Sequence, residues 1–311
     1  MRSVSVPIVS LALVMALGAI GCGHSPMGRL EYSTVASKAE NRPMRYGLYL
    51  PPGWDRSTPL PIVLLLHGAG DDETAADREA VVSRFDAAVA AGELPPFILV
   101  APDGERGMWV NWHNGRHRYR DWVLDEAVPD VRRRFPTVPG AAGLHLVGVS
   151  MGGGGGMQLW LTDPARFASA TLLSAPILDT EGTLAFLDRF MSEKQFLAVF
   201  GPPGEGGGTD PYAALGAPAD LKGSRLIFGA ASNDIGSVLD SHRAFHAHLA
   251  GRDIPHRFVE FAGWHRWTSW APMFVYALCH QLRSSCAMQP PDGWSVEAVS
   301  PAVSTVAPPG G

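Results

Sequence analysis

Short apolar runs recur along the chain and alternate with longer stretches of mixed polarity. Met44 to Leu50, Ile62 to Leu66, Phe97 to Val100, Leu144 to Val149, Ser169 to Leu173, Arg225 to Phe228 and Arg257 to Phe261 are predicted strands. Most are short and nearly all apolar, as strands buried on both faces are. Glu73 to Ala91, Asp121 to Phe135, Gly152 to Thr162, Ser237 to Ala250 and Thr268 to Arg283 are predicted helices. Strand and helix in alternation predict an α/β domain, with a mostly parallel central sheet and helices on both faces. Residues 178 to 222 break the rhythm with helical pieces and a Gly/Pro-rich run. That insertion reads either as a lid over a site or as a surface excursion.

The ends of the chain have a different texture. An uncharged apolar stretch from Val4 to Ile20 follows Met1-Arg2, the layout of a secretory signal. Ala19-Ile20-Gly21-Cys22 resembles a bacterial lipoprotein box, in which Cys22 would carry the lipid. Ordinary cleavage near Gly21 and an uncleaved anchor are the alternatives. The expected layout is a signal over 1–22, a linker over 23–41, the folded domain over 42–288 and a disordered tail over 289–311, rich in Pro, Ala, Ser, Val and Gly. The protein is expected to be exported, as a cell-envelope lipoprotein or in secreted form, with contact to a membrane only through Cys22. In an oxidising compartment Cys279 and Cys286 form a disulfide only if the helix carrying Cys279 ends before Cys286. Seven residues of unbroken helix would hold them about 10 Å apart. A net charge of −5 without a basic run offers no footprint for nucleic acid.

Candidate chemistry starts at Gly148-Val149-Ser150-Met151-Gly152, a G-x-S-x-G pattern. With 35 Gly in 311 residues the bare pattern is weak. Its place, directly after a predicted strand and before a predicted helix, is what gives it meaning. A nucleophile on a sharp strand-to-helix turn needs small neighbours two positions away on each side. The glycine run Gly152 to Gly156 should cost a helix up to about 1 kcal/mol per residue relative to Ala, unless close packing offsets it. A serine hydroxyl also needs a base to take its proton, and an acid to orient that base. His265, in a loop between the last predicted strand and the last predicted helix, fits the base. Asp234, after the strand before it, fits the acid, with Asp240 as the fallback. Two N–H groups must face the developing oxyanion. Met151 supplies one, and the loop His67-Gly68-Ala69-Gly70 the other, with Ala69 the first choice and Gly68 or Gly70 next. His67 itself is expected to shape that loop rather than to titrate.

These residues, from about Arg45 to His280, resemble the α/β-hydrolase-fold esterase family that takes in esterase D and the feruloyl esterases. The resemblance rests on Tyr49-Leu50-Pro51-Pro52-Gly53-Trp54, Pro61 to Gly68, Pro102-Asp103-Gly104, Trp109, the Ser150 turn, and His265 with Trp267 and Trp270. It implies hydrolysis of small-molecule carboxylic esters by a Ser-Asp-His triad, with no cofactor and no metal. The loop Ala230-Ala231-Ser232-Asn233-Asp234 is about one residue longer than the family's usual form. Trp109 and Trp264 are the candidate substrate-binding residues. Trp109, with Trp112, His113 and His117, reads equally as pocket lining or as core packing. His242 and His246, at i and i+4 beside His248, have a spacing that can hold zinc, but a solvated helix face is the simpler reading. An exported acyltransferase of the same fold and an inactive, lipid-anchored binding module are the alternative functions.

Overall fold

The computed structural model describes residues 29–203, 210–215 and 225–300. The lipobox with Cys22 lies outside them. The described strands are Arg29–Ser37 (β1), Arg42–Leu50 (β2), Ile62–Leu66 (β3), Ile98–Pro102 (β4), Leu144–Val149 (β5), Ser169–Leu173 (β6), Arg225–Asn233 (β7), His256–Trp264 (β8) and Ser295–Val299 (β9). They form one sheet in the order β1-β2-β4-β3-β5-β6-β7-β8-β9. Strands β3 to β8 run parallel, while β1, β2 and β9 join antiparallel at the two edges.

Every residue of β3, β4, β5 and β6 is buried, which is why their sequences read as continuous apolar runs. The pleat divides each run between two cores. Ile62, Leu64 and Leu66 face one side, where they meet Val128–Arg134 (α2) with its preceding π-helical Trp122–Ala127, Met151–Thr162 (α3) and Val238–Ala250 (α6). Val63 and Leu65 face the other side, against Val81–Ala90 (α1) and Trp267–Leu282 (α7). Two further helices, Thr180–Leu187 (α4) and Glu193–Phe200 (α5), lie in the insertion. They share a smaller apolar cluster with Ala230 of β7 and Val238 of α6.

Three expectations change. The segment read as a linker up to residue 41 contains β1, paired with β2 over nine residues. The tail read as disordered from 289 contains β9, paired with β8. Both are edge strands held largely by backbone hydrogen bonds, so they carry little of the apolar pattern that marks a central strand. The helix expected over Glu73 to Ala91 is interrupted, because Ala80 takes a left-handed conformation (φ 57°) between Ala75–Arg78 and α1. No Gly or Pro marks that break. No helix of the described residues is long and apolar enough to cross a membrane.

Cys279 and Cys286 are joined, their Cα atoms 5.6 Å apart, because α7 ends at Leu282 and the chain then turns back. On loop entropy this bridge stabilises the fold by about 2 kcal/mol. Cys286→Ser is therefore expected to lower Tm by roughly 5 °C. Thermal denaturation with and without reductant checks this, and an unchanged Tm would show that the bridge adds nothing to stability.

Candidate active site

Ser150 is the residue between β5 and α3, and it holds a conformation unusual for a side chain, φ 53° and ψ −120°. Its N–H donates to the carbonyl of Leu173 at the end of β6 (2.9 Å), and its carbonyl accepts from Gly154 (2.9 Å). The flanking glycines have a steric cause. A Cβ on Gly148 would sit 2.1 Å from the Gly152 carbonyl oxygen, and one on Gly152 would sit 2.0 Å from that of Leu66. The rest of the glycine run follows the same logic, since a Cβ on Gly153 would meet the Leu173 carbonyl at 2.6 Å and one on Gly155 would meet Trp109 at 2.4 Å. The weak helix propensity of α3 is thus the consequence of how closely it lies on the sheet. Gly154 is the exception: the nearest atom to a Cβ there is that of Ala175, at 3.9 Å.

His265 follows β8 and Asp234 follows β7, so the carboxyl ends of parallel strands bring both to Ser150. Near the end of this strand pair two residues of β7 face three of β8, a bulge beside Gly263 (φ 131°) that turns the chain toward His265. His265 Nδ1 lies 2.6 Å from Asp234 Oδ1, and its Nε2 lies 2.9 Å from Ser150 Oγ. The Asp234 side chain has no solvent exposure. Burial pushes its pKa up. Hydrogen bonds from His265, from Ser174 Oγ (2.5 Å) and from the N–H of Ile235 (2.8 Å) outweigh that and leave the carboxyl below its ordinary value. An ionised Asp234 requires Nδ1 of His265 to donate, which leaves Nε2 as the acceptor for the Ser150 hydroxyl.

Ser174 has no counterpart in the sequence motifs. It directly follows β6 in a left-handed conformation (φ 54°), accepts from Trp270 Nε1 (2.8 Å) and donates to Asp234 Oδ2. The Trp270 ring also stands edge-on to His265, with centroids 4.9 Å apart. Trp270 is among the residues that carry the family resemblance, but only tertiary packing joins it to Ser174, so no local pattern announces the contact.

Ala69, after β3, and Met151, the first residue of α3, line the same cavity as Ser150 and His265. An N–H at the first position of a helix has no partner within that helix. His67 sets the neighbouring loop: its Nδ1 pairs with the Gly68 carbonyl (2.8 Å), and its Nε2 accepts from the N–H of Gly104 (3.0 Å). Burial pushes its pKa down, in keeping with a neutral, structural imidazole.

The cavity measures about 430 Å³. Met108, Met157 and Ile177 form part of its wall, and Phe186, Leu187 and Phe200 of the insertion complete it. The described part of the insertion is therefore a wall of the site rather than a surface excursion. Neither candidate binding tryptophan lines the cavity. Trp109 is 0% exposed, packed against Gly104 and Gly155 with its Nε1–H on the His67 carbonyl (3.2 Å). Trp264 is 56% exposed, with Arg266 over its ring. Of the other aromatic candidates, Trp112 donates to the Gly107 carbonyl and His117 pairs with Glu40. The histidine-rich helix does not present a metal site. His242 is buried against the Ala175 carbonyl and His246 bonds His256, and among the described residues no cluster of three metal-ligating side chains occurs.

A mostly parallel sheet with helices on both faces, and a serine on a strained strand-to-helix turn, define the α/β-hydrolase class. The family model described as "Putative esterase" matches residues 37–280, and the chain belongs to that family. An endo-1,4-beta-xylanase/feruloyl esterase of Xylanibacter ruminicola is 25% identical over 156 residues, which is 47% of this chain and 22% of that protein. The chain thus spans about a fifth of this curated relative. Among solved structures, a fluorophosphonate-binding serine hydrolase of Staphylococcus aureus (FphF) superimposes with a TM-score of 0.70 at 22% identity, covering 83% of this chain and 99% of that one. A ferulic acid esterase gives 0.70 at 20%, covering 82% and 97%. An S-formylglutathione hydrolase of Staphylococcus aureus gives 0.67 at 22%, covering 82% and 99%. At these identities the solved structures speak for the fold alone.

The glycine contacts separate two substitutions that look alike in sequence. Gly152→Ala is expected to destabilise the protein by more than about 3 kcal/mol, since backbone cannot yield to its Cβ. Gly154→Ala is expected to stabilise it by about 0.5–1 kcal/mol. Chemical denaturation of both variants tests the assignment, and equal effects would refute the close approach of α3 to the sheet.

Proposed function

We propose that this protein hydrolyses carboxylic esters through an acyl-enzyme on Ser150. One observation carries the proposal: Ser150, His265 and Asp234 form a continuous hydrogen-bonded chain, with contacts of 2.9 and 2.6 Å, at the wall of a largely apolar cavity. His265 Nε2 takes the hydroxyl proton as Ser150 Oγ bonds to the ester carbonyl carbon, and Asp234 stabilises the imidazolium that forms. The N–H groups of Met151 and Ala69 hold the oxyanion. Collapse of the tetrahedral adduct breaks the bond to the leaving alkoxide, which takes the proton from His265. Water, deprotonated by His265, then attacks the acyl group and frees Ser150. No metal or cofactor enters these steps.

Family membership supports ester hydrolysis, and the intact Ser-His-Asp contacts weigh against an inactive binding module. The substrate in this reading is a small-molecule ester, with no nucleic-acid partner. Export, with Cys22 as a lipid anchor or secretion without one, belongs to the same reading and rests on the sequence of residues 1–22.

Ser150→Ala should abolish hydrolysis of p-nitrophenyl acetate while the protein remains folded and the wild type remains resistant to chelator; retained activity in the variant would refute the assignment of the nucleophile. Asp234→Asn should lower kcat by about a thousandfold or more, because the carboxylate that selects the histidine tautomer is lost. Ser174→Ala removes one bond to that carboxylate and should lower kcat by about tenfold, with KM little changed. Steady-state kinetics on the three variants gives the ranking, and a Ser174→Ala defect confined to KM would remove Ser174 from the positioning of the acid.

A further inference from the structure

The loop after β4 contains three non-glycine residues in left-handed conformations within five positions: Glu105 (φ 46°), Met108 (φ 58°) and Trp109 (φ 62°). L-residues rarely adopt such angles, and a loop holds several of them only where its surroundings over-determine it. The surroundings here do so. Trp109 fills the space that a Cβ on Gly104 or Gly155 would occupy, and the Tyr119 ring fills that of Gly107, where a Cβ would fall 2.1 Å from it. Gly107 N–H closes the turn on the Gly104 carbonyl (2.8 Å).

What this loop presents to the cavity is Met108 and Arg106. No Asp or Glu is among the described residues lining the cavity, and Arg106 is their one permanent cation. Its neighbour Glu105 is engaged elsewhere, with Arg42 (2.9 Å) and the Tyr119 hydroxyl (2.5 Å). Among the described residues Arg106 has no ion pair of its own. A guanidinium is a planar fork of donors that matches a carboxylate in two parallel bonds, and it stays charged at every working pH.

We propose that Arg106 is a recognition group for a negative charge on the substrate, so that the preferred esters carry a free carboxylate at the end of a short apolar acyl chain. Met108 and the insertion's Phe186 and Leu187 hold the chain, and Arg106 holds its charged end. This substrate class rests on the reading of Ser150 as an ester-cleaving nucleophile. Because Arg106 is exposed, solvent screens the pair and the preference is a matter of a few-fold.

The test separates this subsite from the chemistry. Full-length Ser150→Ala protein is titrated calorimetrically with monomethyl glutarate and with dimethyl glutarate, which differ by one methyl group and one negative charge. The monoanion is expected to bind about fivefold more tightly. That preference should weaken as salt rises, disappear in Ser150→Ala/Arg106→Gln and persist in Ser150→Ala/Arg106→Lys. Equal affinities in the parent, no measurable binding of either ester, or a preference that survives Arg106→Gln would overturn the subsite. Hydrolysis is read independently, from turnover of p-nitrophenyl butyrate by the unsubstituted enzyme. Its absence alongside a sustained binding preference would sink the hydrolase reading and leave the anion site standing.

Discussion

The structure depends on how closely α3 lies on the sheet. Backbone atoms of β3 and β6 and the side chains of Trp109 and Leu172 occupy the places where side chains of α3 would otherwise stand, and the Gly152 carbonyl fills that of Gly148, so the strand-to-helix turn can close only over glycine. That closure forces Ser150 into its left-handed conformation and aims its hydroxyl away from the sheet into the cavity. Five consecutive glycines would weaken an isolated helix by several kcal/mol. Burial against the sheet and Trp109 compensates, and the same contact that stabilises the helix creates the site.

Around that turn the parallel topology does the gathering. Ala69, Ser150, Ser174, Asp234 and His265 follow β3, β5, β6, β7 and β8, and strands that run the same way end on the same edge. Burying the Asp234 carboxylate is unfavourable by itself, and its cost is met by donors that converge from three elements. The result is an acid that stays ionised in a water-poor place, which gives His265 one tautomer and Ser150 one acceptor.

The cavity wall has a different origin. It is built partly by α4 and α5, whose apolar faces pack on β7 and α6 rather than on the main cores. The sheet and the turn position Ser150 and His265, while helices α4 and α5 and the strained loop carrying Arg106 line other parts of the cavity. The two parts are joined through Trp109, which packs on Gly155 of α3 and donates to the His67 carbonyl.

The amino-acid sequence determined by itself the parallel sheet with its two faces of helices, the turn at Ser150 and the chain order of serine, acid and base. Each of these is a local or periodic signal: fully buried strands read as apolar runs, and a tight turn demands glycine at set positions. The sequence also showed that Cys279 and Cys286 pair only if their helix stops between them, but where α7 stops is a matter of packing. Tertiary structure alone decided that β1 and β9 belong to the sheet, that Trp109 is core while Trp264 points to solvent, and that Ser174 and Trp270 brace Asp234. It alone brought the insertion and Arg106 to the cavity. The physical reason is common to all of these: they are contacts between residues far apart in the chain or on lightly buried edges, where neither periodicity nor spacing leaves a trace until the sheet has closed.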